Sequence, residues 1–175
     1  MDSNVQIIGR NQKCLMCGKN KLNIIKVDYD IPFFGKSSLY NYNCTNCNYR
    51  QNDVFSDQQR GAARYSLEIE KPEDMSIRVI KNSLATVKIP GIITVESTHD
   101  SEGYITNVEG LLVRLRDMIE FSIQDQPREI VQQGKEHITK INNALQGKEK
   151  LTLVIEDTTG NSAIISEKAT KSKID

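Results

Sequence analysis

Two Cys-x-x-Cys pairs, Cys14–Cys17 and Cys44–Cys47, hold every cysteine of the chain and stand 26 residues apart. A two-residue spacer lets a single chain turn present two sulfurs to one ion. Four thiolates, which are soft ligands, suit Zn²⁺ in a tetrahedron. Gly18 follows the first pair and Asn48 the second, and both residue types tolerate the left-handed backbone such a turn often needs. One Zn²⁺ held by Cys14, Cys17, Cys44 and Cys47 is therefore expected, with an iron–sulfur cluster or free dithiols as the alternatives. Four protein ligands leave no coordination position for water or substrate, so the metal is read as structural. It substitutes for the core that a segment of roughly 40 residues cannot build alone.

The remainder of the chain fits a reducing compartment. Residues Met1 to Gln6 show neither a basic n-region nor an apolar h-region, and no run of about 18 apolar residues exists. A cytoplasmic protein with no membrane segment is the expectation. Lys+Arg and Asp+Glu are 23 each, which argues against a protein that coats nucleic acid by charge alone.

Hydrophobic periodicity divides the 175 residues into a finger over 12–53, a β-rich domain over 60–166 and a mobile polar tail over 167–175. Ile25, Val27, Tyr29 and Ile31 alternate with polar residues as a half-buried strand does. A turn containing Gly35 leads to a second strand over Leu39–Cys44, so the cysteine pairs sit at the ends of a hairpin. Residues 51–64 read as a polar connector or short helix. Strand-like pieces follow at Tyr65–Glu70, Ser76–Ile80, Ala85–Ile89 and Ile92–Glu96. A helical hairpin is expected at about 107–146. Thr106 and Glu109 have capping-box spacing, the stripe Leu111, Leu112, Leu115, Met118, Ile119 and Ile123 defines one helix, and Pro127 opens the next. Leu151, Leu153 and Ile155 alternate as a strand, Asp157–Asn161 turns, and Ser162–Ser166 returns.

Six of the ten aromatic residues fall in the finger: Tyr29, Phe33, Phe34, Tyr40, Tyr42 and Tyr49. Tyr40 and Tyr42 suit a small ribbon core. Phe33 and Phe34 do not suit a hairpin tip, which is normally polar, and point to contact with a partner or with the neighbouring domain.

Cys14-Leu15-Met16-Cys17-Gly18, Ile31-Pro32-Phe33-Phe34 and Cys44-Thr45-Asn46-Cys47-Asn48-Tyr49-Arg50-Gln51-Asn52-Asp53 together resemble the ZPR-type zinc-finger domain. Val108-Glu109-Gly110-Leu111-Leu112, with Arg114 and Arg116, and the turn Asp157-Thr158-Thr159-Gly160-Asn161-Ser162 resemble the later segments of that family. The resemblance implies a mostly β fold: a four-cysteine zinc ribbon followed by a double-stranded β-helix-like domain carrying an αα-hairpin, in the single-module archaeal form. It also implies a protein-interaction role: binding of translation elongation factor one-alpha and assistance to its folding. Phe33, Phe34 and one face of the helical hairpin are the expected contacts, with Arg114 and Arg116 orienting the complex.

The alternative is an RNA- or DNA-binding zinc ribbon, with the finger's aromatics stacking bases and Lys19, Lys21, Lys26, Lys36 and Arg50 meeting phosphates. An enzyme is not expected. Gly35-Lys36-Ser37 lacks the earlier glycine of a phosphate loop, Asp30 standing there, and neither H-E-x-x-H nor G-x-S-x-G occurs. His99-Asp100-Ser101-Glu102 carries acid, base and hydroxyl in a loop without a spacing signature, and His137 lies beside a helical stripe.

Overall fold

The computed structural model describes residues 4–58, 60–98 and 100–174. The alternating segment between the cysteine pairs folds back on itself. Strands β2 (Asn20–Ile31) and β3 (Gly35–Cys44) pair antiparallel in unbroken register from Leu22↔Cys44 to Ile31↔Gly35. The turn is tighter than the sequence suggested, with strand resuming at Gly35. Two further strands flank this hairpin, β1 (Asn4–Lys13) on β2 and β4 (Arg50–Ser56) on β3, in the order β1-β2-β3-β4. The finger sheet thus extends from Asn4 to Ser56, wider than the expected 12–53.

The start of the segment read as connector or helix is β4. Its Gln51, Asn52 and Asp53 have poor strand propensity, and pairing with β3 overrides it.

The second unit is a jelly roll of two sheets. Strands β5 (Ala63–Ile69), β6 (Arg78–Lys81), β7 (Thr86–Ile89), β8 (Ile93–Val95), β9 (Tyr104–Asn107), β10 (Leu151–Asp157), β11 (Ala163–Ile165) and β12 (Thr170–Ser172) build it. A five-stranded sheet runs β12-β5-β10-β7-β8 and a three-stranded sheet runs β11-β6-β9. Strands β5 and β10 alternate buried and accessible residues along their length, so Leu67, Ile69, Leu153 and Ile155 point into the space between the sheets.

The helical hairpin, α1 (Val108–Ser122) and α2 (Arg128–Leu145), is inserted between β9 and β10. Its cap lies one residue beyond the expected box: Thr106 remains in β9, and the Asn107 side chain accepts from the Gly110 amide at 2.8 Å. Leu111, Leu112, Leu115 and Ile141 bury the hairpin's apolar side, while Met118 of the expected stripe remains exposed.

The tail is not mobile throughout. Strand β12 adds to the free edge of β5, Thr170 opposite Ser66, and Lys168 Nζ meets the buried Asp74 carboxylate at 2.5 Å. This pairing uses backbone groups, so a polar sequence gives no sign of it.

Finger and jelly roll share one core. Ile31, Phe34 and Val54 of the finger are buried in the same apolar cluster as Leu67, Val79 and Leu111. A small separate cluster, Cys14, Leu22 and Cys44 with Ile24, Tyr42 and Tyr49 packed on it, surrounds the cysteine end.

Candidate metal centre and the surfaces around it

The cysteines occupy two matching turns. One joins β1 to β2 and the other joins β3 to β4. In the first, the Cys14 amide donates to Lys19 O and the Gly18 amide to Cys14 O, both at 2.9 Å. In the second, the Cys44 amide donates to Tyr49 O at 2.9 Å and the Asn48 amide to Cys44 O at 3.0 Å. Gly18 (φ +70°) and Asn48 (φ +58°) supply the left-handed residue that closes each turn.

These turns aim four free sulfurs at one point. All four Sγ atoms lie within 4.8 Å of one another, with Cys14 to Cys47 at 3.8 Å and Cys17 to Cys44 at 3.7 Å. A tetrahedron with Zn–S bonds of about 2.3 Å has sulfur–sulfur edges of about 3.8 Å, so the cage fits that ion.

Cys14 and Cys44 are buried, Cys17 is half-buried and Cys47 is exposed. Burial pushes the Cys44 thiol up, but amide N–H groups of Cys47 and Asn46 outweigh it and hold the thiol down at about 6. The Asn46 side-chain amide donates to Cys17 Sγ at 3.6 Å. The amide donors on Cys44 favour its thiolate, the form that binds metal. At Cys47 the pull of the Tyr49 amide is outweighed by burial and the neighbouring sulfurs, which push that thiol up, so metal binding displaces its proton.

The two phenylalanines at the far end of the β2–β3 hairpin take opposite roles. Phe33 is 97% exposed and has φ +65°, a conformation a bulky residue adopts only at a cost. Phe34 is 2% exposed, and the Arg60 guanidinium sits 3.8 Å from its ring centre while also donating to its carbonyl. Phe34 is therefore closed to a partner. It anchors the finger tip to the jelly roll, and the expectation of partner contact is corrected to Phe33 alone of the pair. Arg114 lies 4.3 Å over the Tyr104 ring, and Arg116 is paired with Asp117 at 2.7 Å. Phe33 and Arg114 line different cavities. His137 is half-buried on α2, and His99 lies outside the described residues.

Sequence reasoning missed the polar joint. Asp53 Oδ1 accepts from the Val54 amide, the Asn82 side chain and the Ser83 amide at 2.8–2.9 Å, and Oδ2 accepts from the Ser83 hydroxyl at 2.7 Å. Ser162 Oγ accepts from the Asn82 amide at 2.9 Å, and Asn161 Oδ1 accepts from the Ser56 amide at 2.9 Å. The Gly103 amide donates to Asn52 O at 2.8 Å. A Cβ at position 103 would fall 2.9 Å from Asp53 Cα, so only glycine allows this approach. Next to the joint, Lys81 is 4% exposed and its ammonium donates to the carbonyls of Asn82 and Glu102 at 3.0 and 3.2 Å. Burial pushes it down to about 8, against the attraction of Asp53 and Asp157. The Asn52-Asp53 and Asn161-Ser162 segments that carried the family resemblance are thus residues that fasten the two units together. A run of polar residues gives no sequence signal that it will join two units.

The comparisons agree with this architecture. The ZPR1 zinc-finger domain model matches residues 6–60 and the ZPR1 jelly-roll domain model matches residues 73–175. A ZPR1-like protein of Pyrococcus horikoshii is 32% identical over 167 residues, covering 92% of this chain and 75% of the relative. A ZPR1-like protein of Methanocaldococcus jannaschii is 34% identical over 160 residues, covering 88% and 79%. The zinc finger chaperone zpr1 of Schizosaccharomyces pombe is 27% identical over 156 residues, and there the chain covers 86% of its own length but 33% of the relative.

Proposed function

The chain belongs to the ZPR1 family, and from that premise we propose that this zinc-binding protein-interaction module holds translation elongation factor one-alpha and assists its folding. The observation that carries the reading is Phe33: an apolar ring 97% exposed, in a strained backbone, on a hairpin otherwise anchored by Phe34. Strain kept at an exposed aromatic indicates selection for something other than stability, and an aromatic side chain is a suitable interface anchor. The chaperone name of the fission-yeast relative supports a client-holding role. No chemistry is assigned to the chain, since a closed thiolate cage offers no open position for a reactant. The cytoplasm is its proposed location, because unbridged thiolates persist in reducing compartments. Among the described residues no helix is long and apolar enough to cross a membrane.

The test is a titration of the zinc-loaded chain with purified archaeal elongation factor one-alpha, followed by refolding of the denatured factor with and without the chain. Saturable binding, weakened at least about tenfold by Phe33→Ser, and an increased yield of GTP-binding factor are expected. Absence of binding by the zinc-loaded wild-type chain overturns the reading. Tighter binding to RNA that falls steeply with salt would replace it with the nucleic-acid alternative.

A further inference from the structure

Behind Phe33 lies a cavity of about 600 Å³, formed where the edge strands β11 and β12 of the two jelly-roll sheets approach the finger tip. Its lining combines two features. The half-buried Ile165 of β11, with Phe33, supplies aliphatic and aromatic surface, while its neighbour Ile164 is buried in the core. Arg60 and Lys171 supply positive charge, each held on an aromatic ring: the guanidinium 3.8 Å from the Phe34 centre and the ammonium 5.6 Å from the Tyr65 centre. Arg60 donates to Phe34 O and to Gln58 Oε1 at 2.8 Å, both uncharged acceptors. Among the described residues neither cation is in an ion pair with a carboxylate, although Glu167 lines the same cavity. Fixed cations without counter-charges, beside an apolar pocket, complement an anion carried next to an apolar group.

We infer that this cavity binds an acidic segment of a partner polypeptide, taking one apolar side chain against Phe33 and Ile165 and seating the adjacent carboxylates on Arg60 and Lys171. The inference rests on the reading of Phe33 as a client contact and adds the chemistry of what it meets. An acidic peptide suits the site better than nucleic acid. The branched aliphatic walls accept a side chain more readily than they stack a base, and a peptide can set an uncharged residue opposite Glu167, whereas a phosphate chain carries charge at every unit. Cation–ring contacts pre-organise both basic groups, so less side-chain freedom is lost on binding.

The experiment is a titration of the ¹⁵N-labelled, zinc-loaded full chain with acetyl-Glu-Asp-Leu-Phe-Asp-amide, followed by NMR. Saturable shifts at Phe33, Arg60, Ile165 and Lys171 are expected. Lys171→Glu, at an exposed residue of β12, should weaken binding at least tenfold and leave the melting temperature and zinc content unchanged. Arg60→Met provides a second variant with the same expected loss, checked by the same melt. The charge-reversed acetyl-Lys-Lys-Leu-Phe-Lys-amide should give no saturable shifts. The inference is overturned if both peptides bind alike, if Lys171→Glu binds like wild type, if the shifts map elsewhere, or if oligouridylate binds these residues more tightly than the acidic peptide. The client titration is separate. A chain that binds the elongation factor but not the peptide refutes this pocket alone, whereas one that binds the peptide but not the factor refutes the proposed client alone.

Discussion

Adjacent phenylalanines provide the sharpest test of how the finger is mounted. Phe34 is 2% exposed within the shared core. Its replacement by alanine removes a large buried ring and leaves a cavity, which costs about 3–5 kcal/mol. Loss of the Arg60–ring contact adds up to about 1 kcal/mol. For a chain of this size, 1 kcal/mol moves the melting temperature by about 2–4 °C, so Phe34→Ala should lower it by roughly 6–24 °C. Phe33→Gly should behave oppositely. No buried contact is lost, and relief of the left-handed conformation returns about 1–2 kcal/mol. Glycine's extra freedom in the unfolded chain takes back about 0.5–1 kcal/mol. The net is a change between about zero and 1.5 kcal/mol in the stabilising direction. Thermal and urea denaturation of the zinc-loaded variants, followed by circular dichroism, measure both. Destabilisation by Phe33→Gly of more than about 2 kcal/mol, or by Phe34→Ala of less than about 1 kcal/mol, would refute the assignment of one ring to solvent and the other to the joint.

Three further outcomes follow from the metal cage and the joint. Cys44→Ser should reduce bound zinc from one per chain to a substoichiometric level, measured by atomic absorption, and release the amide protons of the cysteine end of the finger to exchange, while the finger tip and the jelly-roll core remain protected. Gly103→Ala should destabilise the fold by on the order of 2 kcal/mol in urea, because the new Cβ meets the Asp53 backbone, which cannot move away as a side chain can. Lys81 has a pKa pushed down to about 8 from the ordinary 10.5, so between those values the unfolded chain binds more protons than the folded one and stability rises with pH. The penalty present below about pH 8 is on the order of 3 kcal/mol, and Lys81→Met should flatten the slope of urea stability between about pH 8 and 10.

The metal cage and the main periodic elements were legible because their signals are local. Cysteine spacing needs no knowledge of the rest of the chain, and the alternation of β10 or the apolar stripe of α1 reflects a burial pattern that repeats within the element itself. What stayed hidden depends on distant partners. β1 and β4 join the ribbon as flanking strands whose side chains are largely accessible, Val5, Ile7 and Phe55 among them. Their place in the sheet is set by backbone pairing with β2 and β3. β9 and β12 are likewise short additions to strands already formed. The opposed fates of Phe33 and Phe34 could not be read from their order, because one residue of register decides which ring enters the core. Asp53 and Ser83 gave no signal for the same reason: their partners lie 30 positions apart in the chain.

The position of the metal relative to Phe33 determines what zinc can contribute to binding. The cage closes one end of the β2–β3 ladder and Phe33 tops the other, with the register running from Leu22↔Cys44 to Ile31↔Gly35. At about 3.3 Å per residue the two ends are on the order of 30 Å apart. Phe34 at the tip end and the Asp53 joint at mid-ladder, beside Tyr40, fix the ribbon to the jelly roll without help from the metal. Zinc therefore orders chiefly the opposite end, where Leu15 and Met16 between the first ligands are 91% and 60% exposed. A partner touching only the tip should tolerate Cys44→Ser with little loss of affinity. One that spans the ribbon should lose affinity with the metal, and Leu15→Ser in the zinc-loaded chain should reproduce part of that loss. Measuring both variants against the same partner decides between the two modes. If Cys44→Ser weakens binding while Leu15→Ser and Met16→Ser do not, the thiolate end acts through the ladder on the tip, contrary to the separate anchoring of the two ends.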